Sequence, residues 1–377
     1  MQRDEGTNDD WPGVQRADRG GRVRVRIGDV AAAAGTSIAT VSNYLNGRPH
    51  RMGQETVARI EQSIDRLGYR PSWAARQLKT GFAPVLGLLV PSVANPFHGA
   101  LARHVEEAAL ERGFQVVFGG SLRDPKRELR YAEDFWSFGI RGIIIGSSPL
   151  SLDHLAELIR RGLRVVVFDR SATRANHSQV DSVSMDNGAA GYIATRHLLE
   201  LGHSRIGYVS GPTPTASRRD RFAGYCRALS EFGIAVDAAL TPRVPASSGY
   251  DDTDAAELGR KIALRLLTTQ RDLTALVALN DMYAFGACAA VRELGLSVPK
   301  DVSVVGIDDI VLAGMFDPPL TTVHHPIDAL SLAAVERLIS LIQGKADDAP
   351  RHLVLAPELV VRRSTGSPRT RRSRRLA

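Results

Sequence analysis

Polar side chains follow several apolar stretches of this sequence, each about the length of a β-strand. Those that directly follow such stretches are Asn95, His98, Asp169, Asn280 and Asp308. Because ligands of open α/β sheets bind beyond the carboxyl ends of the strands, we expect these side chains to meet in one cleft. Arg221 begins a predicted helix and Tyr250 lies in a loop. Carboxylates, an amide and a guanidinium can bond neighbouring hydroxyls while Phe97 and Tyr250 stack on a ring, so the set indicates a sugar or nucleoside.

Two alternatives apply to these residues. Asp186-Asn187 and Asn280-Asp281 are also the residue types expected of simple helix caps. Asp169, Asp281 and Asp308 could be imagined as an acid/base or metal-binding set, but no His pair, nucleophile elbow, phosphate-binding glycine loop or metal-ligand spacing accompanies them. The sequence therefore predicts no enzyme, no catalytic residue, no metal site and no cofactor.

A second group of residues with binding potential lies near the beginning of the chain. The helical patterns Ile27–Ala33 and Ser37–Leu45 are joined at Gly35, an arrangement typical of a helix-turn-helix whose second helix enters the DNA major groove. Ser37 is the predicted cap of that helix. An outward-facing Asn can bond adenine, and small apolar side chains can contact a thymine methyl. The outward-facing residues are Ile38, Ala39, Ser42 and Asn43, and the inward-facing ones are Val30, Ala31, Val41 and Leu45.

The distribution of charge favours DNA binding by these two helices over the alternative that they are an ordinary packed pair. The chain has 377 residues and a net charge of +7, yet residues 24–80 hold 9 basic and 4 acidic side chains and residues 362–377 hold 7 basic and none acidic. The long middle segment is slightly acidic. Basic end segments on an acidic globular body are typical of polyanion binding, although a basic tail is also a common solvated end.

The predicted secondary structure changes after Pro84, where the strands and helices that must position the cleft residues begin. A third helix, Gln54–Leu67, completes the first unit, and then apolar strands alternate with amphipathic helices in two runs of about 100 residues. Such alternation predicts parallel sheets covered by helices on both faces. The chain has two cysteines, no apolar leader and no membrane-length apolar run, so we expect a cytoplasmic protein without disulfides or membrane contact.

Three motifs together resemble the LacI/GalR family of bacterial repressors. They read IGDVAAAAGTSIATVSNYLNG, RIEQSIDRLGYRPSWAARQLKTG and LGLLVPSVANPF, and the similarity extends from Val23 to Val361. The resemblance implies a small all-α helix-turn-helix domain followed by an α/β core of two doubly wound parallel-sheet lobes, similar to periplasmic binding proteins. The implied boundaries are a disordered extension 1–22, a headpiece 23–70, a hinge helix and linker 71–82, a core 83–361 and a basic disordered tail 362–377. The N-lobe would hold 83–184 and 324–346, and the C-lobe 185–323 and 347–361.

The resemblance also implies roles for individual residues. Ile38 and Ala39 fall at base-reading positions, and Asn43 stands where most members have Arg, which changes the expected operator base from guanine to adenine. Leu78 would be the minor-groove wedge of the hinge, with Ala75 at the close approach of two hinge helices, although an amphipathic linker residue is the alternative. The other implied DNA contacts are Ser37, Thr40, Ser42, Arg48, Arg51 and Tyr69.

Paired hinges require a homodimer, whose symmetry predicts a palindromic operator. In the core, the resemblance places effector contacts at Phe97, His98, Asp169, Arg221, Tyr250, Asn280 and Asp308. The whole pattern predicts a DNA-binding repressor whose operator affinity is controlled by a small molecule, a sugar or related metabolite. A sugar-binding protein for transport or chemotaxis, and a regulator whose cleft serves a protein partner, are the alternatives.

Overall fold

A computed structural model describes residues 25–45, 48–70, 82–170, 180–211, 215–242, 254–347 and 349–369. The chain forms two compact units, 1–82 and 83–377, which are described separately. Among the described helices, none combines the length and apolarity needed to cross a membrane. The predicted extension 1–22, the hinge with Ala75 and Leu78, and Tyr250 lie outside the described residues.

The headpiece is the described part of the first unit. It contains α1 (Ile27–Ala33), α2 (Ile38–Leu45), a 3-10 turn (Pro49–Arg51) and α3 (Gln54–Leu67). The turn between α1 and α2 passes through Gly35 at φ +59°, a left-handed conformation that glycine adopts without a Cβ clash. The Ser37 hydroxyl accepts a hydrogen bond from the Thr40 amide at 3.1 Å, which confirms the predicted cap.

The headpiece core is small and fully apolar. Val30, Val41 and Ile60 have no exposed surface, and Ala31 is also buried, while Leu45 packs at the margin. Tyr69 belongs to this core as well, with 8% of its surface exposed. Tyr69 therefore packs in the headpiece core, and its predicted DNA contact stays a prediction.

The N-lobe is built on a six-stranded sheet in the order β10-β5-β4-β3-β1-β2, with all strands parallel. Its four inner strands are buried between helices on both faces, as the alternation predicts, whereas the edge strands β2 and β10 are largely exposed. The strands are β1 (Val85–Val90), β2 (Gln115–Gly120), β3 (Gly142–Ile145), β4 (Arg164–Phe168), β5 (Asp181–Met185) and β10 (His352–Leu355). The helices are α4 (Pro96–Glu111), α5 (Pro125–Ser137), α6 (Ala156–Arg160) and α12 (Ile327–Ile342).

The C-lobe is built on a five-stranded sheet in the order β11-β9-β8-β7-β6, in which only β11 is antiparallel to its neighbour. The strands are β6 (Ile206–Val209), β7 (Ala275–Ala278), β8 (Ser303–Asp308), β9 (Thr321–His324) and β11 (Glu358–Val360). The helices are α7 (Asn187–Glu200), α8 (Ala216–Glu231), α9 (Ala255–Thr269), α10 (Asp281–Glu293) and α11 (Val311–Met315).

The chain crosses between the lobes three times, after β5, after β9 and after β10. The prediction that 347–361 belongs to the C-lobe is wrong for β10, which pairs with β5 of the N-lobe from His352 to Leu355. Strand partners are set by tertiary docking, and the local pattern of a four-residue strand does not encode them. Only β11 of that segment joins the C-lobe.

The first part of the predicted disordered tail, 362–369, is packed onto the C-lobe. Arg362 pairs with Asp309 at 2.6 Å, and Ser364 is fully buried between Val304 and Thr321, bonding both. The Gly366 carbonyl lies 2.8 Å from the His203 ring. Composition predicts a solvated end because it counts charges, whereas this segment is held by one ion pair and by backbone and hydroxyl hydrogen bonds. Residues 370–377 lie outside the described part of the chain.

Candidate effector cleft and DNA-binding surface

The exposed surface of α2 carries the predicted base-reading residues. Ile38 is 55% exposed although it is a large apolar residue, and Ala39 beside it is also exposed. Thr40, Ser42 and Asn43 are half-buried on the same helix, and Arg48 and Arg51 are exposed beyond its end. Helix α2 contains no charged side chain. This surface is therefore suited to base-edge contact by α2 and phosphate contact by the flanking arginines.

The cleft between the lobes brings together six of the seven predicted effector residues. Phe97, His98, Asp169, Arg221, Asn280 and Asp308 line one cavity and are all buried. Each comes from the carboxyl end of a strand or the first turns of a helix that follows one. The strand-end rule therefore located this cleft correctly, while the binding role of each residue stays a prediction.

Arg221 is the centre of the cleft. Its Nε donates to Asn187 at 2.7 Å and its Nη1 to the Leu279 carbonyl at 2.9 Å. Its Nη2 faces two carboxylates, lying 3.2 Å from Asp308 Oδ1 and 3.8 Å from Asp169 Oδ2. One guanidinium thus joins a residue of the N-lobe to residues of the C-lobe.

A close helix crossing fixes the position of Arg221. Helices α7 and α8 meet at Gly191, where a Cβ would lie only 2.0 Å from the Arg221 carbonyl oxygen. Any side chain at Gly191 would push α8 away, and the guanidinium would move with it. Gly191 therefore acts as a positioning residue for the cleft.

Asp169 forms the N-lobe side of the polar cluster. Burial acts to raise its pKa, but His325 at 3.0 Å, Arg221 and Asn187 outweigh it and lower the pKa of Asp169 to about 2. Asp169 is consequently a permanent anion near neutral pH. Its negative charge is compensated within the cleft, as buried charges require.

Asp308 differs from Asp169 in its surroundings. Burial raises the pKa of Asp308 to about 6, against the opposing attraction of Arg221 and His325. Its Oδ1 lies near Arg221 without hydrogen-bond geometry and accepts no hydrogen bond from the described residues. A buried polar atom that accepts no hydrogen bond is rare in native proteins, which sets Asp308 apart from Asp169.

The sequence left open whether Asp186-Asn187 and Asn280-Asp281 are helix caps or cleft residues, and the structure shows where each lies. Asn280 caps α10 through its Oδ1, which accepts from the Tyr283 amide, and it also lines the cleft. Asp281 faces away, bonding the Thr322 hydroxyl and the Ile310 amide, and is structural. Asp186 caps α7.

Sequence reasoning missed His325 and the bonding role of Asn187. His325 is 1% exposed, bonds Asp169, and its ring stacks on Phe168. It follows β9 directly, so the strand-end rule applies to it as it does to Asp169 and Asp308. The bonding of Asn187 to Arg221 depends on tertiary packing and leaves no local signal.

The two lobes touch at the edge of the cleft. The Ser148 hydroxyl donates to the Asp169 carbonyl at 2.5 Å and accepts from the Ser217 amide at 3.1 Å, and the Ser148 carbonyl accepts from Ala216. The cavity left between the polar groups is about 40 Å³, enough for one or two water molecules. Small-molecule sites are typically about 300–1,000 Å³, so the cleft in this conformation is too small for a sugar-sized molecule.

Backbone strain is concentrated at the same edge. Among the described residues, every non-glycine with positive φ follows or ends a strand at this side of the core. Such conformations cost about 1–3 kcal/mol each and persist where function requires them. They are Leu122, Arg123, Ser148, Asp169, Asp308 and Asp309.

A helix-turn-helix headpiece, together with a two-lobed α/β core holding a polar cleft, defines a ligand-responsive DNA-binding regulator. Residues 26–72 match the bacterial regulatory proteins of the lacI family, and residues 195–365 match a periplasmic binding protein-like domain. The chain is 33% identical to the HTH-type transcriptional regulator DegA of Bacillus subtilis over 91% of its own length and 98% of that protein. This chain therefore belongs to the LacI family of bacterial transcription regulators.

Two solved structures extend the comparison. The Lac repressor dimer bound to operator and the anti-inducer ONPF is 27% identical, with a TM-score of 0.76 over 91% of this chain and 99% of that one. The transcriptional regulator CelR–cellobiose complex is 28% identical, with a TM-score of 0.66 over 90% of this chain and 100% of that one. These relatives are transcription regulators. Among the described residues, no three His, Cys, Asp or Glu side chains form a metal-binding group.

Proposed function

We propose that this regulator binds a sugar between its lobes and that the sugar changes its affinity for operator DNA. The observation that carries this proposal is Asp308 Oδ1, which is buried, lies 3.2 Å from the Arg221 guanidinium and accepts no hydrogen bond from any residue that the structure describes. A carboxylate acceptor beside a guanidinium donor can bond two adjacent hydroxyls of one ring, and Phe97 offers an apolar face. Cellobiose in the CelR complex supports the ligand class.

Control of DNA affinity would follow from the closed cleft. The bonds from Ser148 to Ala216 and Ser217, and from Arg221 to Asp169, occupy the position where a sugar would enter. A sugar would replace them with bonds to its own hydroxyls and favour a different angle between the lobes. Only such differential binding can shift the equilibrium between two DNA-binding states.

The working form would be a homodimer on a palindromic operator. Large apolar residues are exposed on both lobes of this core: Val117 and Phe118 on the edge strand β2, and Val311 (70%) and Met315 (77%) on α11. An exposed apolar edge strand invites association unless another copy covers it. The matched Lac repressor is a dimer on its operator. Acting on DNA, the protein would function in the cytoplasm.

The DNA surface would combine Ile38, Ala39, Ser42 and Asn43 for base contact with Ser37, Thr40, Arg48 and Arg51 for the backbone. Leu78 and Ala75 would serve at the hinge. Asn43 favours adenine where an arginine would favour guanine. The proposed effector set is Phe97, His98, Asp169, Arg221, Tyr250, Asn280 and Asp308, to which His325 is added.

The central test uses the full-length protein with an operator selected from random DNA. Selection should return palindromes, and the Kd for the selected site, measured by fluorescence anisotropy at fixed salt, should change at least tenfold with one sugar of a broad panel. The same sugar should raise the melting temperature by mass action. Operator binding that no sugar changes, without any thermal shift, would refute the proposed effector class and favour a protein partner.

Effector affinity should fall as the pH drops below about 6, the raised pKa of Asp308. Sugar hydroxyls bond the ionised carboxylate and lower its pKa in the complex, so binding at low pH must release a proton. Arg221, His325, Asp169 and Asp281 also face this group. Between pH 7.5 and 5 we expect roughly five- to tenfold weaker binding.

Isothermal titration in two buffers of different ionisation enthalpy measures this pH dependence. It should detect about half a proton released per sugar near pH 6, close to one at pH 5, and none at pH 8. A Kd constant from pH 5 to 7.5 would show that Asp308 does not accept hydrogen bonds from the sugar as an anion.

A further inference from the structure

Beside the cleft lies a second and much larger cavity, which we call the side pocket. It encloses about 390 Å³, against about 40 Å³ between the charged groups of the cleft. Its walls include Arg123, Glu128, Ser147, Leu150, His154 and Thr215. Arg123 lines both cavities, and the consecutive residues Ser147 and Ser148 line one each. The two spaces therefore adjoin, and the side pocket has the volume of a small-molecule site.

The side pocket contains a buried polar group without a partner. Ser147 is 3% exposed, and its hydroxyl forms no hydrogen bond within the described part of the chain. Leaving a buried hydroxyl unsatisfied destabilises the folded protein. Such a group in a native protein calls for an explanation, and a bound molecule is one that the adjoining cavity offers.

The other walls define the chemistry of that ligand. Glu128 is a buried carboxylate paired with His154 at 2.9 Å, and Asp153 and Arg123 also line the side pocket. Two carboxylates in the lining disfavour a phosphorylated or otherwise strongly anionic compound. Pro149 and Leu150 supply apolar surface between the polar groups. Hydroxyl partners around an apolar wall suit the face of a neutral sugar ring.

The side pocket also has contact with both lobes. Thr215 belongs to the C-lobe and caps α8, the helix that carries Arg221, whereas Glu128, Ser147 and His154 belong to the N-lobe. A ring held there would bond on both sides of the boundary that must open. Binding in the side pocket would therefore be coupled to the angle between the lobes.

We infer that the effector is a neutral disaccharide or longer oligosaccharide, with one ring at Arg221 and Asp308 and the next ring in the side pocket at Ser147 and Glu128. This inference rests on the proposed sugar-binding function and specifies its ligand. It predicts that linked rings bind far better than either ring alone. One added hydrogen bond to a charged group is alone worth about tenfold or more in affinity.

The test compares matched sugars on the full-length protein by isothermal titration. D-glucose is compared with cellobiose and maltose, and D-galactose with lactose and melibiose. At least one disaccharide should bind tenfold or more tightly than its monosaccharide. Equal affinity for both would overturn the side-pocket assignment while leaving the proposed sugar function intact. Binding of neither class, with operator binding retained, would refute the sugar function and the side-pocket assignment with it.

Two variants locate the second ring. Ser151→Trp places an indole at the exposed rim of the side pocket and should reduce disaccharide affinity to that of the monosaccharide. Ser137→Trp, at the far end of α5 on the same lobe, is the matched control and should change neither the disaccharide affinity nor the monosaccharide affinity. Ser147→Ala should keep or raise the melting temperature, because it removes an unsatisfied hydroxyl, yet weaken the disaccharide about five- to tenfold. Unchanged disaccharide affinity in both pocket variants would contradict the assignment.

Discussion

Replacing Arg221 by lysine should weaken effector binding about a hundredfold and leave operator affinity without effector within threefold. The guanidinium bonds Asn187 and Leu279 with two of its nitrogens and presents the third to Asp308. A lysine keeps the charge but cannot fill these positions at once. Losing two hydrogen bonds to a charged group corresponds to about 3 kcal/mol, which is the expected hundredfold.

The measurement is isothermal titration of the effector, paired with anisotropy on the selected operator. Arg219→Lys is the matched control, because Arg219 is exposed on the same helix two residues away. Arg221→Ala adds a second comparison, since it leaves Asp308 and Asp169 buried without their cation and should also lower the melting temperature of the core. Effector affinity in Arg221→Lys within threefold of the parent would remove Arg221 from the binding set.

Replacing Val41 by aspartate should reduce operator affinity at least a thousandfold while effector binding stays unchanged. Val41 has no exposed surface and packs in a headpiece core of only six buried residues. An unpaired carboxylate there costs about 3–5 kcal/mol or more, comparable with the whole stability of so small a unit. The headpiece would unfold, and α2 would no longer present its surface to DNA.

Fluorescence anisotropy with the operator reports on the headpiece of this variant, and isothermal titration with the effector reports on its core. Ala58→Asp adds the same charge on the exposed side of α3 and should retain operator binding. If Val41→Asp abolished effector binding as well, the two compact units would not fold independently, contrary to the separation of 1–82 from 83–377.

The cleft was predictable from the sequence because its residues obey a local rule. Asp169 and Asp308 directly end apolar strands, and parallel strands deliver their ends to one edge. What the rule could not supply is how these groups bond one another. The different pKa values of Asp169 and Asp308 come from the placement of His325 and Arg221, which are distant in sequence.

The errors have a common physical origin. The lobe to which β10 belongs is decided by its pairing with β5, which is distant in sequence. The packing of 362–369 is likewise decided by distant partners, with Ser364 bonding Val304 and Thr321 in the C-lobe sheet. Charge and periodicity describe a segment on its own and carry no information on its partner. The side pocket was missed for the same reason, because Glu128, Ser147 and Thr215 meet only in the folded core.

Because β10 and β11 lie near the end of the sequence, the effector-binding core can fold only after nearly the whole chain has been synthesised. Each lobe needs a strand from beyond residue 350, and 362–366 then fasten β8 to β9. The headpiece, by contrast, is complete by residue 70. At about 5–20 residues per second, synthesis of the intervening chain takes roughly 15–60 s. For that interval a nascent chain carries a complete headpiece and no effector cleft.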